Sequence, residues 1–154
     1  MRFNFPSHER NSMGFDLRSE SGAETRYSGS AWAMLLNLGQ AYGWQPAGTS
    51  APPEIEAAEW EPDVYDTNDG QTVTRQDAAN LAEALESLLA DPGQGAKQVA
   101  LSRDLDRLVH KQMVQILGEA KVGPYMEDPN PLVIPDDTMR EFIEFLRQGS
   151  FRIE

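Results

Sequence analysis

The segment Asp66-Thr67-Asn68-Asp69-Gly70-Gln71-Thr72-Val73-Thr74-Arg75-Gln76-Asp77 carries acids at both ends of twelve residues. Calcium loops of that length take oxygen ligands from positions 1, 3, 5, 7, 9 and 12 and place glycine at 6. Asn68 and Asp77 fall on ligand positions. Gly70 and Gln71 do not fit, and Pro62 leaves no room for a preceding helix. The expected structure is a turn followed by an N-capped helix, with no metal. Gly93-Gln94-Gly95-Ala96-Lys97 has the glycines and lysine of a phosphate loop. Lys97 does not follow Gly95 directly, no Ser or Thr follows Lys97, and a helix precedes it. A flexible linker between helices is expected instead. His8 lies in a polar stretch and His110 on a helix, off its apolar side. Neither Gly-x-Ser-x-Gly nor His-Glu-x-x-His occurs, so no catalytic residue and no cofactor is assigned.

Two charged features are more informative. Glu54, Glu56, Glu59, Glu61 and Asp63 put five acids into ten residues, around Trp60 and after Trp44. Acids on a loop steer a basic partner, and tryptophan is a common buried anchor at interfaces. Trp44, Glu54, Glu56, Glu59, Trp60 and Glu61 are therefore the candidate partner-binding residues. Either tryptophan could instead plug the edge of the core. Arg103, Arg107 and Lys111 recur at i, i+4 and i+8, with His110 beside them, so they share one helix face. They form an alternative site, a docking patch for an acidic surface, unless acids elsewhere pair them.

The totals narrow the function further. The chain has 154 residues, 13 Lys plus Arg against 25 Asp plus Glu, and a net charge of −12. Five basic and three acidic residues between Lys97 and Lys121 leave a local +2, so the remainder carries −14. That field repels nucleic-acid phosphates and anionic lipid, so neither is an expected partner. The absence of cysteine removes disulfides, thiolate zinc sites and cysteine nucleophiles. No apolar run is long enough to span a membrane, and Met1–Pro6 lacks the apolar stretch of a secretory signal. The expected location is the cytoplasm.

Periodicity supplies the elements. Residues 1–12 read as a polar appendage, with Met13 a candidate natural start. The globular domain covers 13–154. Met13 to Arg18 alternates as a half-buried strand. A buried helix follows from Ser28 to about Tyr42. Trp32 belongs to its core, with Gly43 at its end. Trp44–Asp63 is a Pro-rich acidic loop. Val64-Tyr65 and Thr72-Val73 flank Asp69-Gly70 as a small hairpin. Thr74 caps a second helix, and Asp77 completes a variant capping box. Ala78, Leu81, Ala82, Leu85 and Leu88 form its core stripe. A third helix runs from about Ser102 to Leu117, with Leu105, Leu108, Val109, Ile116 and Leu117 inward. Asp136 or Asp137 caps a last helix, which buries Met139, Phe142, Ile143 and Leu146. Phe151–Ile153 reads as a terminal strand. The expected fold is mainly α, in an α+β sense: about four helices in one domain, with short minor strands or a hairpin.

Met13-Gly14-Phe15-Asp16-Leu17, Tyr42-Gly43-Trp44-Gln45-Pro46-Ala47-Gly48-Thr49, Asn68-Asp69-Gly70-Gln71 with Asp77-Ala78, and Phe142 to Ile153 together resemble a group of small uncharacterised bacterial proteins. The likeness spans most of 13–154. It implies a bacterial origin and a shared fold, and supplies no activity or catalytic residue. The functional expectation is a small acidic, non-enzymatic protein that binds another, basic protein, as an immunity or inhibitor protein does. The alternative is a small enzyme or ligand-binding domain that uses carboxylates and His110 in a cleft.

Overall fold

A computed structural model describes residues 14–154. Met13 and the 1–12 appendage lie outside the described residues. The strands do not decorate a helical protein. They form one five-stranded antiparallel sheet, while 50% of the described residues are helical and 13% strand. The expectation of a mainly α fold with minor strands is therefore corrected to an α+β domain in which a sheet supplies one whole layer.

The sheet order is β2-β1-β5-β4-β3, with β1 at Gly14–Ser19, β2 at Glu24–Ser28, β3 at Thr49–Ser50, β4 at Gln71–Val73 and β5 at Phe151–Ile153. Alternation decides which face is covered. Phe15, Leu17, Val73, Phe151 and Ile153 point inward and are buried. Asp16, Arg18, Arg26 and Arg152 face outward. On the outer face Asp16 sits opposite Arg26 and Arg18 opposite Glu24, with ion pairs at 2.7 and 2.9 Å. Such directly opposed pairs fix register. Arg18 also sits opposite Arg152. Glu154 lies 3.5 Å from one and 3.4 Å from the other, which relieves the like-charge contact.

Two strand expectations fail. Val64-Tyr65 forms no hairpin with Thr72-Val73, because β4 pairs with β3 and β5. Glu24–Ser28, where the sequence predicts no strand, is a strand whose Thr25 and Tyr27 are only half-buried. Its apolar signal is too weak to stand out in the sequence.

Helix α1 spans Gly29–Ala41 and begins at Ser28, whose hydroxyl accepts the Ala31 amide at 3.2 Å. Every residue from Trp32 to Gly39 is buried. The Trp32 ring meets Phe15, Phe142 and Phe151, with centroids 6.2, 6.0 and 6.5 Å away. Its indole N–H donates to the Tyr65 carbonyl at 2.8 Å. Gly43, at φ 101°, turns the chain back so that the Trp44 amide reaches the Gly39 carbonyl at 2.9 Å. Gly39 itself has no room for a Cβ, which would collide with the Leu81 side chain.

Helix α2 spans Arg75–Ala90 and α5 spans Asp136–Leu146. They pack on each other, while α1 and α5 touch the sheet. Leu81, Leu85 and Leu88 are buried as their spacing requires. Thr74 caps α2, its hydroxyl accepting the Asp77 amide at 3.2 Å. Helix α5 starts after Pro135 with no side-chain cap. Asp136 and Asp137 instead occupy its first turn, where negative charge suits the helix dipole. Met139, Phe142, Ile143 and Leu146 are buried as expected.

Helix α3 corrects two expectations. It spans Gln94–Leu117, so Gly93–Lys97 is not a flexible linker but the place where α3 begins. Its early turns bury Gln98 and Ser102 rather than apolar residues, and polar residues on the inner face hid the periodicity. Its late turns leave the body of the domain: Ile116 is 70% exposed and Leu117 46%. Only Leu105 and Val109 of the expected apolar stripe are buried. A four-residue helix, α4 at Glu119–Val122, follows.

The α1, α2 and α3 ends meet at Asp91. Its carboxylate accepts the Tyr42 hydroxyl at 2.6 Å, the Lys97 ammonium at 2.7 Å and the Gly93 amide at 2.8 Å. Lys97, then Tyr42 and Gly93, hold the Asp91 pKa down at about 2, while burial and the Asp91 charge push Tyr42 up to about 12. The signs define two pH windows. The Asp91 contribution is present above its unfolded value, near 4, and is lost as pH falls towards 2. The Tyr42 contribution is present below about 10 and is lost as pH rises towards 12. Thermal melts of wild type and Asp91→Asn should therefore differ near neutrality and converge as pH falls towards 2. A gap that stayed constant from pH 2 to pH 7 would show that this junction does not respond to protonation.

Candidate functional site

The acidic loop is closed at its base. The Thr49 amide donates to the Pro62 carbonyl at 2.6 Å. The Thr49 hydroxyl lies 3.2 Å from that carbonyl and 3.1 Å from the Val64 carbonyl. It also accepts the Trp60 indole N–H at 3.0 Å. Ends held together around irregular chain define an Ω-loop. Within it, Ala57–Glu59 makes one 3₁₀ turn. Glu54, Glu56, Glu59, Glu61 and Asp63 are all exposed, as is Ile55, while Trp60 is half-buried. None of the five acids forms an ion pair with a described residue. By contrast, every described arginine is ion-paired within the chain: Arg18, Arg26, Arg75, Arg103, Arg107, Arg140, Arg147 and Arg152.

Trp44 lies beneath this surface, not on it. It is 3% exposed and stands edge-on to Tyr65 at 5.4 Å. Both are organised by Asp77, a fully buried carboxylate on the first turn of α2. Asp77 Oδ1 accepts the Trp44 indole N–H at 2.9 Å and the Ala47 amide at 3.1 Å. Oδ2 accepts the Tyr65 hydroxyl at 2.6 Å, and that hydroxyl accepts the Gly48 amide at 2.8 Å. Burial, and then the Asp77 bond, raise the Tyr65 pKa and keep the phenol protonated. Asp77 thus turns away from the capping box and clamps the segments that lead into and out of the Ω-loop. Gln71 braces the exit, donating to the Thr67 and Val64 carbonyls at 2.7 and 3.2 Å. The sequence marks Asp77 only as a capping-box residue and Gln71 only as a loop residue, since a polar residue near a turn reads as surface.

The basic stripe serves a different contact. Arg103 and Arg107 both reach Glu127, at 3.1 and 3.4 Å. Arg107 also lies over the Tyr125 ring, 5.7 Å from its centroid. His110 Nε2 donates to the Gly123 carbonyl at 3.0 Å. The Ser102 hydroxyl accepts the Leu132 amide at 2.9 Å, and Gln98 Oε1 accepts the Ile134 amide at 2.8 Å. These bonds fasten residues 123–134 along α3, antiparallel to it. Lys111 is exposed and joins none of the ion pairs among the described residues. Between α3 and the returning chain lies a cleft of about 480 Å³ that His110 borders. Among the described residues no group of three or more His, Asp or Glu could hold a metal ion, and no helix is long and apolar enough to cross a membrane.

No family model, no curated protein and no solved structure matches this chain.

Proposed function

We propose that the protein binds a basic protein partner through the acidic Ω-loop, with Glu54, Glu56, Glu59, Glu61 and Asp63 as the steering charges and Ile55 and Trp60 as the apolar contacts. The carrying observation is the contrast in pairing: every described arginine is ion-paired within the chain, whereas the five loop acids pair with no described residue. Uncompensated charge on a held loop raises the encounter rate with an opposite surface, because little ordering remains to be done on contact. An inhibitor-type role, in which the loop covers a basic surface, suits that arrangement. The cleft beside His110 supports the rival reading less well. His110 is tied to the Gly123 carbonyl, and half of the residues lining the cleft are Met, Leu or Val.

The test uses wild type and the Glu54→Gln, Glu56→Gln, Glu59→Gln, Glu61→Gln quadruple variant as paired baits in lysate. A partner retained by wild type should be lost from the variant at low salt. Its association with the variant should be slower by roughly tenfold or more, with the gap closing as salt rises. Equal association rates across the salt series would remove the Ω-loop as the binding surface.

A further inference from the structure

The two edges of the sheet differ. β3 is two residues long and runs into Ala51-Pro52-Pro53, so it offers a neighbouring strand little to pair with. β2 is five residues long, with no proline and no bulge. The ladder beside it assigns its backbone groups. Asp16 exchanges both of its backbone bonds with Glu154, at 3.0 and 2.7 Å, so the Asp16 peptide groups face β5. Arg26, opposite Asp16, therefore occupies a non-bonded position of the β1·β2 ladder, and Glu24, opposite Arg18, does too. The N–H and C=O groups of Glu24 and Arg26 point out from the edge, and none bonds a described residue.

We infer that a second copy of this chain pairs with β2, edge to edge and antiparallel, about a two-fold axis beside Thr25. Charge picks that register. With the axis at Thr25, Glu24 of each copy meets Arg26 of the other. These are the positions whose backbone groups point outward, so each rung exchanges its backbone bonds as well. Sliding the strands by two residues in either direction sets Glu24 against Glu24 or Arg26 against Arg26, and like charges directly opposite are destabilising. In the Thr25 register the outer rows alternate in sign across both copies: Asp16 and Arg26 of one, then Glu24 and Arg18 of the other. Glu24 and Arg26 are still 63% and 62% exposed beside their intrachain partners, so each has room for a second charge. On the inner face Thr25 meets Thr25, a favourable cross-strand pair. Tyr27, edge-on to Phe142 at 5.3 Å, comes opposite Ala23 of the second copy. The net charge of −12 does not fall here. Arg18, Arg26 and Arg152 stand against Asp16, Glu24 and Glu154, so the patch is neutral, and physiological salt screens charges beyond about 8 Å. No Ω-loop residue takes part, and the inference rests on no part of the loop reading.

Sedimentation equilibrium over a dilution series tests it. Wild type should move from the mass of one chain towards twice that mass as concentration rises. Glu24→Arg and Arg26→Glu each place like charges at both rungs, and each should weaken the dimer by about tenfold or more. Their melts at low concentration should match wild type, because the intrachain pairs they break are exposed and contribute little. Mixed in equal amounts, the two variants restore opposite charges at both rungs, so the mixture should dimerise again. Hydrogen exchange on wild type needs no substitution: the Glu24 and Arg26 amides should slow by about tenfold or more from the dilute to the concentrated sample. The quadruple Ω-loop variant should associate as wild type does. A wild type that keeps the mass of one chain throughout would overturn the inference. So would a mixture no heavier than its components, or a dimer whose Glu24 and Arg26 amides exchange as fast as in the monomer.

Discussion

Asp77→Ala should lower the stability of the protein by about 3–5 kcal/mol, out of a total that for a domain this size is roughly 5–15 kcal/mol. The truncation leaves the Trp44 indole N–H, the Ala47 amide and the Tyr65 hydroxyl without their acceptor. Each stranded buried donor costs about 1–3 kcal/mol. Losing the carboxylate's own desolvation cost offsets part of that, which is why the sum stays below three full penalties. Asp77→Asn should be milder, at about 1–2 kcal/mol, because its carbonyl oxygen can still accept from Trp44 and Ala47. Urea denaturation followed by tryptophan fluorescence checks both. If Asp77→Ala unfolded at the wild-type midpoint, the clamp beneath the Ω-loop would contribute nothing to stability.

Leu85→Ala should cost roughly 2–5 kcal/mol, the range for a leucine deleted from a packed interior. Leu85 is fully buried on the side of α2 that faces the core. The melting temperature should fall by about 2–4 °C per kcal/mol in a domain this size. Ile116→Ala is the matched control. Ile116 is 70% exposed, so its truncation should change stability by less than about 0.5 kcal/mol. An unchanged melt for Leu85→Ala would mean that the α2 stripe is not core.

Those two residues also mark where the sequence is readable. The α2 stripe has a strong helical period between a threonine cap and an Asp-Pro-Gly stop, and local signals of that kind survive folding. Late α3 carries a similar apolar spacing. The difference is that no described element covers Ile116, and nothing local to α3 records what lies beside it. The sheet was underread for a related reason. Its strands are two to six residues long, and β3 and β4 gain their identity from partners far away in the chain. At the candidate site, the exposed acids are visible in composition alone. The clamp is not, because Asp77, Trp44 and Tyr65 are each ambiguous until the fold brings an acceptor to two aromatic donors. Gln98 and Ser102 are illegible for the same cause: they are buried to hold a backbone, and a residue suited to that purpose looks like surface.

The central position of β5 has a consequence for synthesis. Leu17 pairs with Ile153, and β5 alone joins the β2-β1 half of the sheet to the β4-β3 half. A ribosome adding about 5–20 residues per second needs on the order of ten seconds to travel from one partner to the other. Throughout that interval β1 has its hairpin neighbour on one edge only. Phe15 and Leu17 must wait for Phe151–Ile153 before their strand is flanked on both sides. Closure of this sheet is therefore tied to synthesis of β5, with a nascent sheet edge open to competitors until then.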